Sequence, residues 1–322
     1  MPAEWAPHER TLMAWPCRHE LWGGLVDEAR QAHAAVAAAI VAFEPVTMVA
    51  NPGADAADAR ARCPAAVELL ELPMDDSWLR DCGPVYATGP GGERVAVHFG
   101  FNAWGGKFAP WDRDARVGAL IAEHLGDEVV EAPFVLEGGS VAVDGDGTLL
   151  TTEQCLLHPN RNPSLSREEI ERGLVDFLGA ERVVWLGQGL AEDRDTDGHV
   201  DLVAAFTAPG EVLLQAAPEG SPDHEPMEEN ARRLRAAGVT VRRLDVLPQV
   251  ELGGEAVTVS HMNFYVCNGA VIVPLAGGET DERALATVAA AYPGREAVGV
   301  PGAVLALGGG GPHCITQQVP AS

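Results

Sequence analysis

A chain of 322 residues, 47% hydrophobic and 21% charged, has the ordinary globular mixture and room for one large domain or two smaller ones. Its 47 acidic residues outnumber 22 basic ones, for a formal net charge of −25, and such a field repels nucleic acid and anionic lipid while favouring cationic small molecules. No apolar run nears the ~20 residues of a membrane-spanning helix and no charged-then-apolar signal segment opens the chain, so a cytoplasmic protein is expected.

Along the chain one unit recurs: a polar residue leads a short apolar strand, then a Gly-rich turn, then a second strand. The first is "DCGPVYATGPGGERVAVHF" from Asp81. The helical stretch "RDARVGALIAEHLG" separates it from "EGGSVAVDGDGTLLTTE", which starts at Glu137. "SREEIERGLVDFLG" leads on to "HVDLVAAFTAPGEVLLQA" from His199, and "PMEENARRLRAAGV" to "NFYVCNGAVIVPLAG" from Asn263. After "TDERALATVAAAYPG" comes "CITQQVP" from Cys314, a last unit whose second strand is not visible before the chain ends. Alternation in "SVAVDGDGTLL" and the turn formers Asp-Gly, Pro-Gly and Asn-Gly predict hairpins. The stretches between them carry apolar residues at helical spacing, and most end at Gly, as helix C-termini prefer.

The leading residues are 56, 62, 64 and 51 positions apart, a near-constant period that predicts a repeat architecture. With no linker and no change of composition, a single α/β domain over residues 1–322 is expected. Its five units would close into a ring, each offering its strand start to a shared centre.

Four of the five leading positions are Asp81, Glu137, His199 and Cys314. Asp201 follows His199 by two, so on a strand both would face the same way. The six cysteines (Cys17, Cys63, Cys82, Cys155, Cys267, Cys314) contain no CxxC pair and read as free thiols, five of which need no function. A thiolate is a nucleophile whose formation a nearby imidazole promotes. "GGGGPHC" from Gly308 lets backbone approach a ligand closely, but it lacks the lysine and the serine or threonine of a phosphate loop. A zinc site drawn from Cys314, His313 or His199 and Asp201 lacks paired-ligand spacing. Carboxylates beside a thiol suit a substrate that brings positive charge. A guanidinium is planar, has five N–H donors for paired carboxylates and carries an electrophilic carbon. Each residue alone has a plainer role as a cap, turn or core residue; their common phase is what argues for one site.

The longer motifs run nearly end to end: "EWAPHERTLMAWP", "DDSWLRDCGP", "FNAWGGKFAPWD", "LEGGS", "DTDGHVD", "NFYVCNGAVIVP" and "GGGGPHCITQQ". They resemble the agmatine deiminases of the guanidine-modifying superfamily, and are similar to the bacterial peptidyl-arginine deiminases of the same superfamily. The resemblance implies a five-bladed, pseudo-symmetric α/β propeller and hydrolysis of agmatine to N-carbamoylputrescine and ammonia, a step of putrescine biosynthesis, with no metal and no organic cofactor. It implies Cys314 as the nucleophile of a covalent thiouronium intermediate and His199 as the proton carrier. Asp81 and Asp201 would clamp guanidinium nitrogens, with Glu137 holding guanidinium and helping proton transfer. Trp78 would line the substrate channel and Asp195 would lie near the substrate's distal amine. The partner is then a cationic guanidine, with a homodimer as the assembly considered. The alternatives are a deiminase of another guanidine (peptidyl-arginine, arginine or methylarginine) and a non-catalytic propeller that only binds.

Overall fold

Every hairpin expected from the sequence forms, and each gains a third strand delivered by the helix that follows it. The computed structural model describes residues 1–321; Ser322, the last residue of the expected 1–322 domain, lies outside them. Near the N-terminus, β1 (His8–Ala14), β2 (Val46–Ala50) and β3 (Glu68–Glu71) run parallel, connected by helices Val26–Ile40 and Ala54–Arg62. Next, β4 (Val85–Thr88) and β5 (Arg94–Gly100) pair antiparallel, and helix Asp114–Leu125 carries the chain to β6 (Glu128–Val135), parallel to β5. The same topology recurs in β7 (Ala142–Val143), β8 (Thr148–Thr152) and β9 (Arg182–Leu186), with helix Arg167–Leu178 between the last two. It recurs again in β10 (Ala204–Ala208), β11 (Glu211–Gln215) and β12 (Thr240–Leu244), around helix His224–Ala236.

A separate hairpin of β13 (Gln249–Leu252) and β14 (Glu255–Thr258) intervenes, which the sequence pattern did not announce. The fourth repeat is β15 (Tyr265–Cys267), β16 (Ala270–Leu275) and β17 (Glu296–Pro301), around helix Asp281–Ala291. The strand missing from the truncated last unit is found at the other end of the chain: β18 (Thr316–Pro320) pairs antiparallel with β1. Among the described residues the sheets stay separate, so this is a mixed α/β fold without a closed barrel. No helix in it is long and apolar enough to cross a membrane.

Local chemistry explains the elements. Helix Arg167–Leu178 opens with a capping box between Ser166 and Glu169 and ends at Gly179, whose φ of 69° suits a residue without Cβ. It buries Ile170, Leu174 and Leu178, one stripe at spacings of four. The β10–β11 and β15–β16 turns fall at Pro209-Gly210 and Asn268-Gly269, with both glycines at positive φ.

The core is divided into clusters that join one sheet to the next. Phe99 of β5 packs in the same cluster as Leu149 of β8, Leu150 of β8 with Phe206 of β10, and Leu213 of β11 with Val271 of β16. A larger cluster joins Ile272 and Tyr265 to Leu12 and Met48, and these to Tyr86 of β4. Each sheet therefore depends on its neighbours for burial, and the leading residue of every unit is brought to one place.

Candidate active site

The leading residues sit one turn ahead of their strands rather than on them. Asp81 lies in the short helix Leu79–Cys82 before β4, and Glu137 precedes the turn Gly138–Ser140 before β7. His199 precedes the turn Val200–Leu202, which contains Asp201. Asn263 and Cys314 each stand two residues before β15 and β18. The expectation that His199 and Asp201 share a strand face is therefore corrected: the backbone there is a tight turn, and the two side chains reach the same centre with different partners.

Cys314 is 3% exposed. Asn263 Nδ2 donates to its Sγ at 3.1 Å, and the Cys314 backbone N–H donates to Asn263 Oδ1 at 3.2 Å, so one side chain fixes both the thiol and the backbone of this cysteine. The thiol in turn reaches Asp201 Oδ2 at 3.4 Å. Burial, reinforced by Asp201 and Asp81, pushes the thiol well above its ordinary value, so it rests protonated. The same Asp201 oxygen lies 2.8 Å from His313 Nδ1. Burial works to raise Asp201, but the hydrogen bond and charge of His313 outweigh it and hold that carboxyl below the usual range.

His199 is fully buried, 3.8 Å from Asp81 Oδ1 through Nδ1 and 3.8 Å from Glu137 Oε2 through Nε2. Burial opposes its charge, yet Asp81, Cys155 and Glu137 together lift it well above the ordinary histidine value, so the ring carries a proton. Glu137 is held by Arg161, whose Nε donates to Oε1 at 2.6 Å with both side chains fully buried. Removing one partner from such a pair costs about 3–5 kcal/mol, because the other is left as a lone buried charge. Burial would raise Glu137, but His199 and Arg161 keep it below the usual range. Asp81 goes the other way: burial, with Asp201 and Glu137, raises it against the pull of His199. It accepts hydrogen bonds from Trp104 Nε1 and the Gly139 N–H, both at 2.9 Å.

The glycine run makes room chiefly for side chains. A Cβ on Gly310 would meet Trp78 Cζ3 at 2.7 Å and Cys314 Sγ at 2.9 Å, and one on Gly308 would meet Trp22 at 2.3 Å. Trp22 and Trp78 stack with centroids 5.8 Å apart. Trp78, Asp81, Trp104, Phe108, Asp195 and Cys314 line one narrow cavity. The seven residues singled out from the sequence thus converge: Cys314, His199, Glu137, Asp81 and Asp201 at the centre, with Trp78 and Asp195 on the wall of the pocket.

Residues 1–320 match the family model of the Porphyromonas-type peptidyl-arginine deiminases. The chain belongs to this family. Among its relatives it is 41% identical to an agmatine deiminase of Pseudomonas fluorescens, over 100% of this chain and 95% of that one. An agmatine deiminase of Enterococcus faecalis, described as catalysing its reaction, has the same fold with a TM-score of 0.94 at 38% identity, over 99% of this chain and 95% of that one. A C. jejuni agmatine deiminase with a cysteine replaced by serine and substrate bound matches at 0.92 and 26% identity, over 100% and 96%.

Four residues of this family member's site escape a reading of its sequence. Asn263 occupies a leading position, so its phase was the available signal, but an amide has no acid–base chemistry to draw attention. Trp104 stands in the motif "FNAWGGKFAPWD", whereas Arg161 and Cys155 carry no phase at all. Only the tertiary fold places them on Glu137 and His199.

Proposed function

We propose that this chain hydrolyses agmatine to N-carbamoylputrescine and ammonia through a covalent thiouronium on Cys314, acting as a single catalytic domain in which five of the six sheets, all but the β13–β14 hairpin, are the blades of a propeller. The observation that carries the substrate class is the wall of the pocket at Cys314. It presents Asp81 and Asp195, beside an Asp76 already paired with Arg18 at 2.6 Å, and no arginine or lysine lines the cavity itself. A guanidinium and a distal amine both find carboxylates there, while the α-carboxylate of arginine would have no cationic partner.

In this reading Asp81 and Asp201 orient the guanidinium beside the neutral thiol. The arriving cation lowers the thiol's affinity for its proton, which passes to Asp201 as Sγ bonds to the guanidinium carbon. Protonated His199 gives a proton to the terminal nitrogen, the C–N bond breaks and ammonia leaves. The now neutral ring takes a proton from the attacking water, the C–S bond breaks, Asp201 returns its proton to the sulfur to restore the thiol, and the adduct's hydroxyl proton leaves to solvent as the ureido product forms. Glu137, fixed by Arg161, stabilises the imidazolium before the first of these transfers and after the second.

The test is ammonia release from agmatine, arginine and an arginine-ending peptide side by side. Agmatine should give the highest kcat/KM, by at least about tenfold, in keeping with the loss expected when a charged group is left unpaired. Preference for the peptide would move the assignment to peptidyl-arginine. Cys314→Ala should release no ammonia above background while melting cooperatively, and robust turnover by that variant would overturn the mechanism. Sedimentation of the same preparation tests the homodimer.

A further inference from the structure

Cys155 takes no part in this chemistry, yet it lies fully buried against it. Its Sγ, a ring nitrogen of His199 and a carboxylate oxygen of Glu137 all fall within 4.8 Å of one another. Thr152 Oγ1 caps the short helix Glu153–Leu156 by accepting from the Cys155 N–H at 3.1 Å, which fixes where the thiol stands. Both ring nitrogens of His199 and Glu137 Oε2 lack a hydrogen-bond partner among the described residues, although all are buried. Arg161 occupies Glu137 Oε1 and leaves Oε2 free to face the histidine.

We infer that Glu137, Cys155 and His199 form a binding site for a soft divalent cation such as Zn2+, and that its occupancy inhibits the enzyme by taking His199 and Glu137 out of the reaction. Zinc bonds of ~2.3 Å to sulfur and ~2.0–2.2 Å to nitrogen and oxygen, arranged tetrahedrally, set ligand atoms roughly 3.3–3.7 Å apart. The Nε2–Oε2 separation of 3.8 Å is already near that value. The donor set of one thiolate, one imidazole and one carboxylate suits zinc and leaves a fourth position for water. One thiolate and one carboxylate balance the two charges of the ion. Binding forms the Zn–S and Zn–N bonds as the Cys155 thiol proton and the extra ring proton of His199 both leave to solvent. The inhibition rests on the deiminase reading above; the binding does not.

The experiment titrates chelator-stripped protein with Zn2+ in competition with a chromophoric chelator, for the wild type, Cys155→Ser, Cys155→Ala and Cys314→Ser. The wild type and Cys314→Ser should each take up one Zn2+ per chain with affinities within about threefold, and both Cys155 variants should bind at least about tenfold more weakly. With Co2+ as the probe, Cys314→Ser should keep a thiolate-to-metal absorption band. No uptake by the wild type, unchanged uptake by the Cys155 variants, or loss of uptake in Cys314→Ser would each overturn the site. Should neither Cys155 variant melt cooperatively, the Co2+ band of Cys314→Ser decides alone, and its absence counts against the proposal. Zn2+ inhibition of ammonia release should follow the same order. Tight binding by a protein that never releases ammonia would defeat the functional reading and leave the site standing.

Discussion

Glu4 belongs to the N-terminal segment, yet only one side chain separates it from the residue that faces the thiol. Its Oε1 lies 2.7 Å from His313 Nε2, and the other nitrogen of that ring holds Asp201. Burial and Arg80 press His313 towards neutrality, but Glu4 and Asp201 outweigh them and raise it. Burial likewise opposes the charge on Glu4, and His313, with Arg80, still lowers it from 4.5 to about 2. A carboxyl depressed in this way contributes stability in full above its unfolded value of about 4.5 and loses it as the pH falls towards 2. Glu4→Gln should therefore lower stability at pH 7 by about 1–3 kcal/mol, the worth of a hydrogen bond to a charged group. The gap to the wild type should narrow when denaturant melts are repeated at pH 4 and pH 3. A gap that stays constant over that range would mean Glu4 acts by packing and not as a carboxylate.

Two loops make the pocket wall, and one side chain ties them together. Lys107, the chain's single lysine, donates to the carbonyls of Arg194 and Asp195 at 2.5 and 2.9 Å and pairs with Asp197 at 2.7 Å. Arg161 continues the tie from Asp197 to Glu137. The joined segments are strained: Ala103, Trp104 and Asp197 have φ of 53°, 54° and 62°, a region that costs non-glycine residues of the order of 1–3 kcal/mol each. Without the lysine, relaxation would shift Trp104 and Asp195 before it touched Cys314. Lys107→Met is expected to raise KM for agmatine about tenfold and to change kcat much less, with partial recovery in Lys107→Arg. Loss of kcat at constant KM would place Lys107 in the chemistry instead. The loops also mark where the sequence stops being readable. Hairpins and late helices announce themselves through local periodicity, turn formers and caps. Helix Val26–Ile40 is rich in alanine and ends without glycine, so nothing local delimits it. The acids, the histidine and the cysteine share a phase that survives folding. Arg161, Lys107 and Cys155 gain their roles from contacts dozens of residues away in the chain, which no spacing encodes.

On the scale of the whole molecule, the β18–β1 pairing sets Cys314 just ahead of a strand held by the other end of the chain. Arg80, from the unit that carries Asp81, donates to Gln318 of β18 at 2.7 Å and to the His313 carbonyl at 3.3 Å. The site is thus assembled from every repeat and is built of buried groups, whereas most of the −25 net charge lies on the surface around it. These two populations of charge respond to salt differently. The surface field attracts a cation over about 30 Å at 0.01 M salt but only about 8 Å at 0.15 M. The buried carboxylates act at contact distance and are barely screened. For agmatine, kcat/KM should fall roughly three- to tenfold between those salt concentrations while kcat stays level. An alkylguanidine without the distal amine has half the charge and should show the shallower dependence. Equal slopes for the two would mean the surface charge serves solubility alone, and that Asp81, Asp195 and Asp201 account for recognition by themselves.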